Sequence, residues 1–253
     1  MKPIILQKLK EIEAAHGIKI LYSCESGSRG WGFPSPDSDY DIRFIYIRPA
    51  ATYLSVKTYK DNMNFPITGE LDINGWDIRK LLSLACKSNT TPFEWLQSPV
   101  VYREEDNFRE DAWNVCRQYF CPHSNIRHYL GISKMAMNSI YDGQIGIKKL
   151  FYILRPLLSA LWCTEERSIA PMQISPLLQG MPEDLREKVV SCIELKKTAN
   201  EGFIIEVDSK LKTWIEDTFA YCNRVCGELD RLTFDTAAAD VFFRETIERY
   251  DDR

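Results

Sequence analysis

The chain has 253 residues, room for one large domain or two modest ones. Its hydrophobic content of 45% and charged content of 27% are those of a soluble globular protein, which excludes a fibrous or disordered chain. A formal net charge of −4 argues against broad electrostatic attraction to nucleic acid, although a local basic groove is compatible with it. Met1-Lys2 runs straight into a charged amphipathic stretch with no signal-peptide core, and no apolar run approaches a membrane span. A cytoplasmic protein with no membrane partner is expected.

Ile5, Leu9 and Ile12 recur at helical spacing, which predicts an amphipathic helix over residues 3–16, with Gly17 placed to end it. Residues 18–23 predict a strand. A glycine-serine turn follows, and Ser28 is placed to start a short helix. Residues 39–48 alternate as a second strand, closed by Pro49; residues 50–68 read as a loop with a partial helix. Residues 70–76 predict a third strand, after which Asp77 is a good N-cap for a helix carrying Ile78, Leu81, Leu82 and Ala85. A short helix opens at Thr90-Thr91-Pro92 and runs through Leu96. Phe108, Ala112, Val115 and Tyr119 mark another, ended by Cys121-Pro122, where a domain boundary is expected.

Beyond Pro122 the pattern is helical throughout. Ile126, Leu130, Met137 and Ile140 line one helix, and Asp142-Gly143 turns the chain. Ile147, Leu150, Phe151, Leu154, Leu158 and Leu161 line the next, with Pro156 inside it. A proline-rich connection over residues 164–182 leads to helices near 183–200, 208–229 and 236–250. Strands early and helices late predict an α+β domain over residues 1–122 followed by a helical domain over 123–253. The eight cysteines are scattered, with no Cys-x-x-Cys pair, and read as reduced core residues. Cys116, Cys121 and His123 lack a fourth ligand at zinc spacing.

One stretch organises the rest, from Ser26 to Asp41. Small residues at Gly27 and Ser28 let backbone N–H groups approach phosphate oxygens. Asp39 and Asp41 head the second strand one residue apart, so both carboxylates point to one face as hard oxygen ligands for Mg²⁺ bound with a nucleoside triphosphate. Asp37 reads as a loop cap. Arg29 is equally suited to reach phosphate or to remain a solvated loop charge. Arg43, on the face of Asp41, is placed to pair with the carboxylates when metal is absent.

Gly27-Ser28, Gly32 and Asp39-Tyr40-Asp41, at their spacing, resemble the DNA polymerase β-like nucleotidyltransferase superfamily. The match is closer to its bacterial and phage branch of predicted nucleotidyltransferases linked to RNA repair. That likeness also rests on Cys24-Glu25-Ser26, Trp31-Gly32-Phe33-Pro34, Asp37-Ser38, residues 72–80, Glu94-Trp95-Leu96-Gln97-Ser98-Pro99 and Tyr152-Ile153-Leu154-Arg155-Pro156. It implies a small mixed sheet with flanking helices followed by a C-terminal helical domain that closes the nucleotide cleft. It implies also a third metal carboxylate from a neighbouring strand. Asp72 and Asp77 are the candidates. Asp72 is preferred, because it sits inside an alternating strand while helix capping accounts for Asp77; Glu70, on the face of Asp72, is a weaker third.

In the helical half, Lys148, Tyr152, Arg155 and Ser159 share one helix face opposite the apolar stripe, with no acid on that helix beside them. Two cations and a tyrosine there suit a triphosphate and a base or ribose. Lys134 and His128, one helix earlier, are weaker candidates. The expected reaction is Mg²⁺- or Mn²⁺-dependent transfer of NMP from an NTP to a hydroxyl, with Asp39, Asp41 and Asp72 holding the metals and pyrophosphate released. The resemblance implies an RNA end as acceptor. The negative charge fits a protein or small-molecule hydroxyl as well, and a non-catalytic nucleotide-binding partner module is the remaining alternative.

Overall fold

The structure, a computed structural model, describes residues 1–251. In chain order its elements are α1 (Lys2–His16), β1 (Lys19–Glu25), α2 (Gly27–Trp31), β2 (Tyr40–Ile47), α3 (Ala50–Tyr53), β3 (Asn62–Asn64), β4 (Leu71–Asp77), α4 (Ile78–Ala85), α5 (Thr90–Leu96), β5 (Val101–Glu104) and α6 (Phe108–Cys116). There follow α7 (Pro122–Met137), β6 (Gln144–Gly146), α8 (Ile147–Glu165), α9 (Ile174–Leu177), α10 (Glu183–Lys196), β7 (Ile204–Glu206), α11 (Ser209–Gly227) and α12 (Ala237–Tyr250). Among the described residues no helix is long and apolar enough to cross a membrane.

The chain divides into two compact units that do not follow it in order. The first holds residues 1–30, 39–119 and the C-terminal segment from Thr233; the second holds Trp31–Ser38 and Phe120–Leu232. The sequence boundary at 122 lies near one crossing. The returns at 31–38 and after 232 leave no mark in composition.

The first unit is built on a five-stranded mixed sheet of order β3-β4-β2-β1-β5. β2 runs antiparallel to β1 and parallel to β4, and the β2–β4 register sets Tyr40 opposite Leu71, Asp41 opposite Asp72 and Arg43 opposite Asn74. Buried Ile5, Leu9 and Ile12 of α1 pack with Ile20, Ile42, Phe44, Tyr46 and Ile73, the expected apolar stripe of the helix meeting one face of the sheet. β3 and β5, three and four residues long, are the edge strands that alternation does not announce. α12 returns to this unit: its Phe242 ring lies 6.0 Å from Phe108, and Tyr119 Oη accepts from the Ala239 N–H at 3.0 Å.

In the second unit α8 is the central element, buried almost all round from Ile153 to Ala160 between α7, α11 and α9. The segment 31–38 is seated in this unit's core, with Phe33 stacked on Phe151 at 4.7 Å. Lys196, buried on α10, donates to Ser35 Oγ at 2.7 Å and lies over the Phe33 ring; burial pulls its ammonium pKa down. Asp37 does cap a backbone, but a remote one: both its oxygens accept from the Glu201 N–H at 3.2 Å. The eight cysteines are free thiols, six of them buried.

Gly75 in β4 carries a packing constraint. A Cβ there would stand 2.1 Å from Cζ of Phe44, whose ring is fully buried and cannot swing aside. Gly75→Ala is therefore expected to destabilise the protein by about 1–3 kcal/mol, as overpacking does. Urea denaturation checks this as a lower midpoint at unchanged slope.

Candidate active site on two neighbouring strands

The parallel register of β2 and β4 does what spacing within one strand cannot: it sets two carboxylates from different strands side by side. Asp41 and Asp72 are paired residues and each is partly exposed. The Arg43 guanidinium lies between them. Nη2 donates to Asp41 Oδ1 at 2.9 Å and to Asp72 Oδ2 at 2.7 Å, while Nη1 donates to the carbonyls of Ile42 at 3.1 Å and Asp72 at 2.9 Å. Arg43 thus forms the carboxylate pairing expected of it. Burial is the first cause of a raised Asp41 pKa; Arg43 opposes it, and the charges of Asp72 and Asp39 add to it.

The turn before β2 is pressed against this pair. Gly27 has φ +58°, and a Cβ on it would stand 1.9 Å from Asp41 Oδ2, so both the backbone conformation and the space require glycine. The Ser26 N–H donates to the Asp41 carbonyl at 2.8 Å, tying the turn to the strand. Ser28 lies in the short α2 that follows. Arg29 packs its guanidinium 3.9 Å from the Tyr40 ring centre and donates through Nε to the Asp39 carbonyl at 3.2 Å. Asp39 is exposed, one residue ahead of β2, and its charge reaches Asp41.

The alternatives to Asp72 have other roles. Asp77 caps α4, accepting from the Arg79 N–H at 2.9 Å and from Tyr53 Oη at 3.1 Å, with Arg48 Nε at 3.6 Å. Glu70 is exposed in the turn before β4, where its carbonyl accepts the Tyr40 N–H at 2.7 Å.

Glu25 is a residue that the sequence reading left without a role. It ends β1, is buried, and its Oε1 accepts the Asp41 N–H at 2.7 Å while Oε2 pairs with the Tyr102 hydroxyl. Burial pushes its pKa up to about 7; the Tyr102 and Asp41 N–H hydrogen bonds oppose the shift, and the Asp41 charge adds to it. The signal was there as the one acid of β1, at its end.

The face proposed on the long helix, α8, divides in two. Tyr152 is exposed and Lys148 partly so, but Arg155 and Ser159 are buried, which corrects the expectation of one open face. Arg155 donates to the Met172 carbonyl from Nε at 3.2 Å and Nη2 at 3.1 Å, and lies 4.7 Å from the centre of the Trp31 ring. Tyr152 meets Trp31 edge-on, and Lys148 pairs with Glu201. That acid lies on a loop, beyond the reach of any argument from one helix.

Among the described residues no three His, Cys, Asp or Glu side chains converge to hold a metal ion by themselves. The donor set of Asp41 and Asp72 nevertheless fits a hard cation that brings its own ligands. Two carboxylates in register repel one another, and Mg²⁺ is commonly held by one or two carboxylates together with substrate phosphates.

A strand-borne carboxylate pair, with a glycine turn pressed onto it in a mixed sheet, marks a polymerase β-like nucleotidyltransferase. The chain belongs to the RlaP family, the RNA repair pathway DNA polymerase beta family, whose model matches residues 1–245. An uncharacterized protein of Bacillus subtilis (strain 168), YcgL, is 39% identical over 204 residues, covering 79% of this chain and 78% of that one. The crystal structure of a nucleotidyltransferase-like protein from Exiguobacterium sibiricum aligns over 99% of this chain and 81% of its own at 10% identity, with a TM-score of 0.33, too slight a likeness to build on.

Glu25 gives a stability test in the metal-free protein. Its folded pKa lies above the ordinary 4.5, so between pH 4.5 and about 7 the folded state keeps a proton that the unfolded chain has released. Stability should therefore fall as pH rises through that window. Glu25→Gln retains an acceptor for the Asp41 N–H and a donor toward Tyr102, and should flatten the fall. Denaturation midpoints across the window, measured with chelator present, check this.

Proposed function

We propose that the protein transfers a nucleotidyl group from a nucleoside triphosphate to a hydroxyl at an RNA end. The acceptor oxygen bonds to the α-phosphorus, the bond from that phosphorus to the bridging oxygen breaks, and pyrophosphate leaves. The observation that carries this reading is the Asp41–Asp72 pair held in register with Arg43 between its carboxylates. Family membership supplies the link to RNA repair.

The site residues of the first unit each have a part in that reading. Mg²⁺ or Mn²⁺ arriving with the nucleotide, held by Asp41 and Asp72 with Asp39 at their edge, would supply charge neutralisation for the phosphate oxygens. Gly27 lets the turn close onto Asp41, whose carboxylate fills the place a side chain would take. Ser28 offers its hydroxyl and backbone N–H to phosphate. Arg29 holds the entry to β2 through Tyr40 and Asp39. Asp72 is the group assigned to take the proton of the acceptor hydroxyl. Arg43 serves as the counter-ion of the resting pair, keeping two like charges in position before substrate arrives. Catalysis is then mainly positioning and electrostatics.

The net charge of −4 favours a second acceptor, a protein hydroxyl, in the same reaction. Incubation with each α-labelled NTP and Mg²⁺ or Mn²⁺, with and without RNA, separates the two: label appears on RNA in one case and on protein in the other. No transfer under any of these conditions would remove the proposal. Asp41→Asn and Asp72→Asn should each lower the transfer rate about a hundredfold or more while leaving the fold intact. Asp77→Asn, which keeps a capping oxygen, should leave the rate within a few-fold of wild type. The reverse order would show that the chemistry lies at the opposite end of β4.

A further inference from the structure

The second unit carries a cavity that the proposed reaction does not use. It lies between α7 and α11 and has a volume of about 420 Å³. Along α7 it is lined by His123, Arg127, Leu130, Gly131 and Lys134, and along α11 by Phe219, Asn223, Cys226 and Gly227. His123, Arg127, Gly131 and Lys134 stand four, four and three residues apart, which makes one stripe on one helix face.

Two observations point the same way. The lining holds three basic side chains and an amide and no carboxylate. Arg127 and Lys134 form no ion pair among the described residues; Glu228, the acid just past α11, pairs with Arg224 instead.

Gly131 adds an independent argument. It sits inside a 16-residue helix, where glycine costs about 1 kcal/mol relative to alanine. Its φ is not positive, and an added Cβ would meet no atom within 4 Å. Neither backbone conformation nor packing calls for glycine there. A bare backbone does keep the cavity open between Arg127 and Lys134.

We infer that this groove is a phosphate-binding site, in which Arg127 and Lys134 neutralise the anion and Asn223 donates to its oxygens. The ligand class is a phosphate ester or anhydride, carried by an RNA strand or by a small phosphorylated molecule. Its lining belongs wholly to the second unit and the carboxylate pair to the first, and binding to it can be read without turnover.

The test uses the full chain with three probes: inorganic pyrophosphate, a short 5′-phosphorylated RNA and the same RNA with a 5′-hydroxyl. Affinities are measured by calorimetry or anisotropy at moderate salt, where unsited surface charge is largely screened. Arg127→Ala and Lys134→Ala should each weaken binding about tenfold, the loss of one charge-assisted contact. Gly131→Leu leaves every charge in place, raises helix propensity and fills the cavity, and should weaken binding at least as much. A loss seen with pyrophosphate as well identifies a compact phosphate ligand. A loss confined to RNA identifies a strand, and a difference between the two RNA ends identifies the terminal phosphate. Wild-type affinity in Gly131→Leu, unchanged affinity in both charge variants, or no binding of any probe to wild type would overturn the site. Binding is measured with chelator present and transfer is assayed separately on wild type: binding that depends on Arg127, Lys134 and Gly131 without any transfer, or transfer without such binding, tells a failure of this site from a failure of nucleotidyl transfer.

Discussion

The first unit depends on the register of two parallel strands. With β2 and β4 paired as they are, Asp41 stands beside Asp72, and like charges are forced together at a partly buried place. Left alone, such a pair would push the strands apart or keep a proton. Arg43 supplies the answer from the same strand, two residues on, where the strand period returns it to the face of Asp41. Its guanidinium is planar and forked, so it bridges two carboxylates where a lysine would offer a point charge. The remaining parts follow from that arrangement. Gly27 has no side chain because Asp41 occupies the space, and Glu25 fixes the backbone N–H of Asp41 from the next strand.

Much of this was legible in the chain. Alternation over residues 39–48 and 70–76 identified two strands, and one-face logic singled out Asp39, Asp41 and Arg43, of which Asp39 stands exposed just ahead of β2; Asp72 was preferred because it sits inside an alternating strand. Helix-capping chemistry gave Asp77 a structural part, and the structure shows it capping α4. Which strands pair, and in what direction, is a long-range property that local pattern does not carry. The opposition of Asp41 and Asp72 therefore came only through family resemblance. Asn62–Asn64 and Val101–Glu104 escaped notice, as did the antiparallel pair Gln144–Gly146 and Ile204–Glu206 in the half expected to be helical throughout, because strands of three or four residues bury too little to alternate.

The second unit shows the limit of face arguments. Lys148, Tyr152, Arg155 and Ser159 share a stripe, and a stripe with cations reads as solvent-facing. α8 is instead enclosed by its neighbours, so part of the polar stripe is buried too. The buried cations are accommodated differently. Arg155 uses a main-chain carbonyl and the face of Trp31, while Lys196 uses the hydroxyl of Ser35 and the ring of Phe33. Trp31, Phe33 and Ser35 all belong to the short segment between the glycine turn and Asp39. The motif that carries the family likeness is thus two things at once, a turn beside carboxylates and a set of partners for buried cations.

The path of the chain has a consequence for biosynthesis. Residues that complete the sheet unit are made in two instalments, with the entire 120–232 stretch between them. Until α12 has been translated, the surface formed by Phe108, Tyr119 and Tyr53 lacks Phe242, the Ala239 N–H and Phe243. A ribosome-bound nascent chain therefore carries an uncovered aromatic seam throughout synthesis of the helical unit, the kind of surface that chaperones hold. The helical unit has no such wait after Leu232, since its outlying segment, Trp31–Ser38, is made long before the rest. The unit begun first is consequently the one finished last.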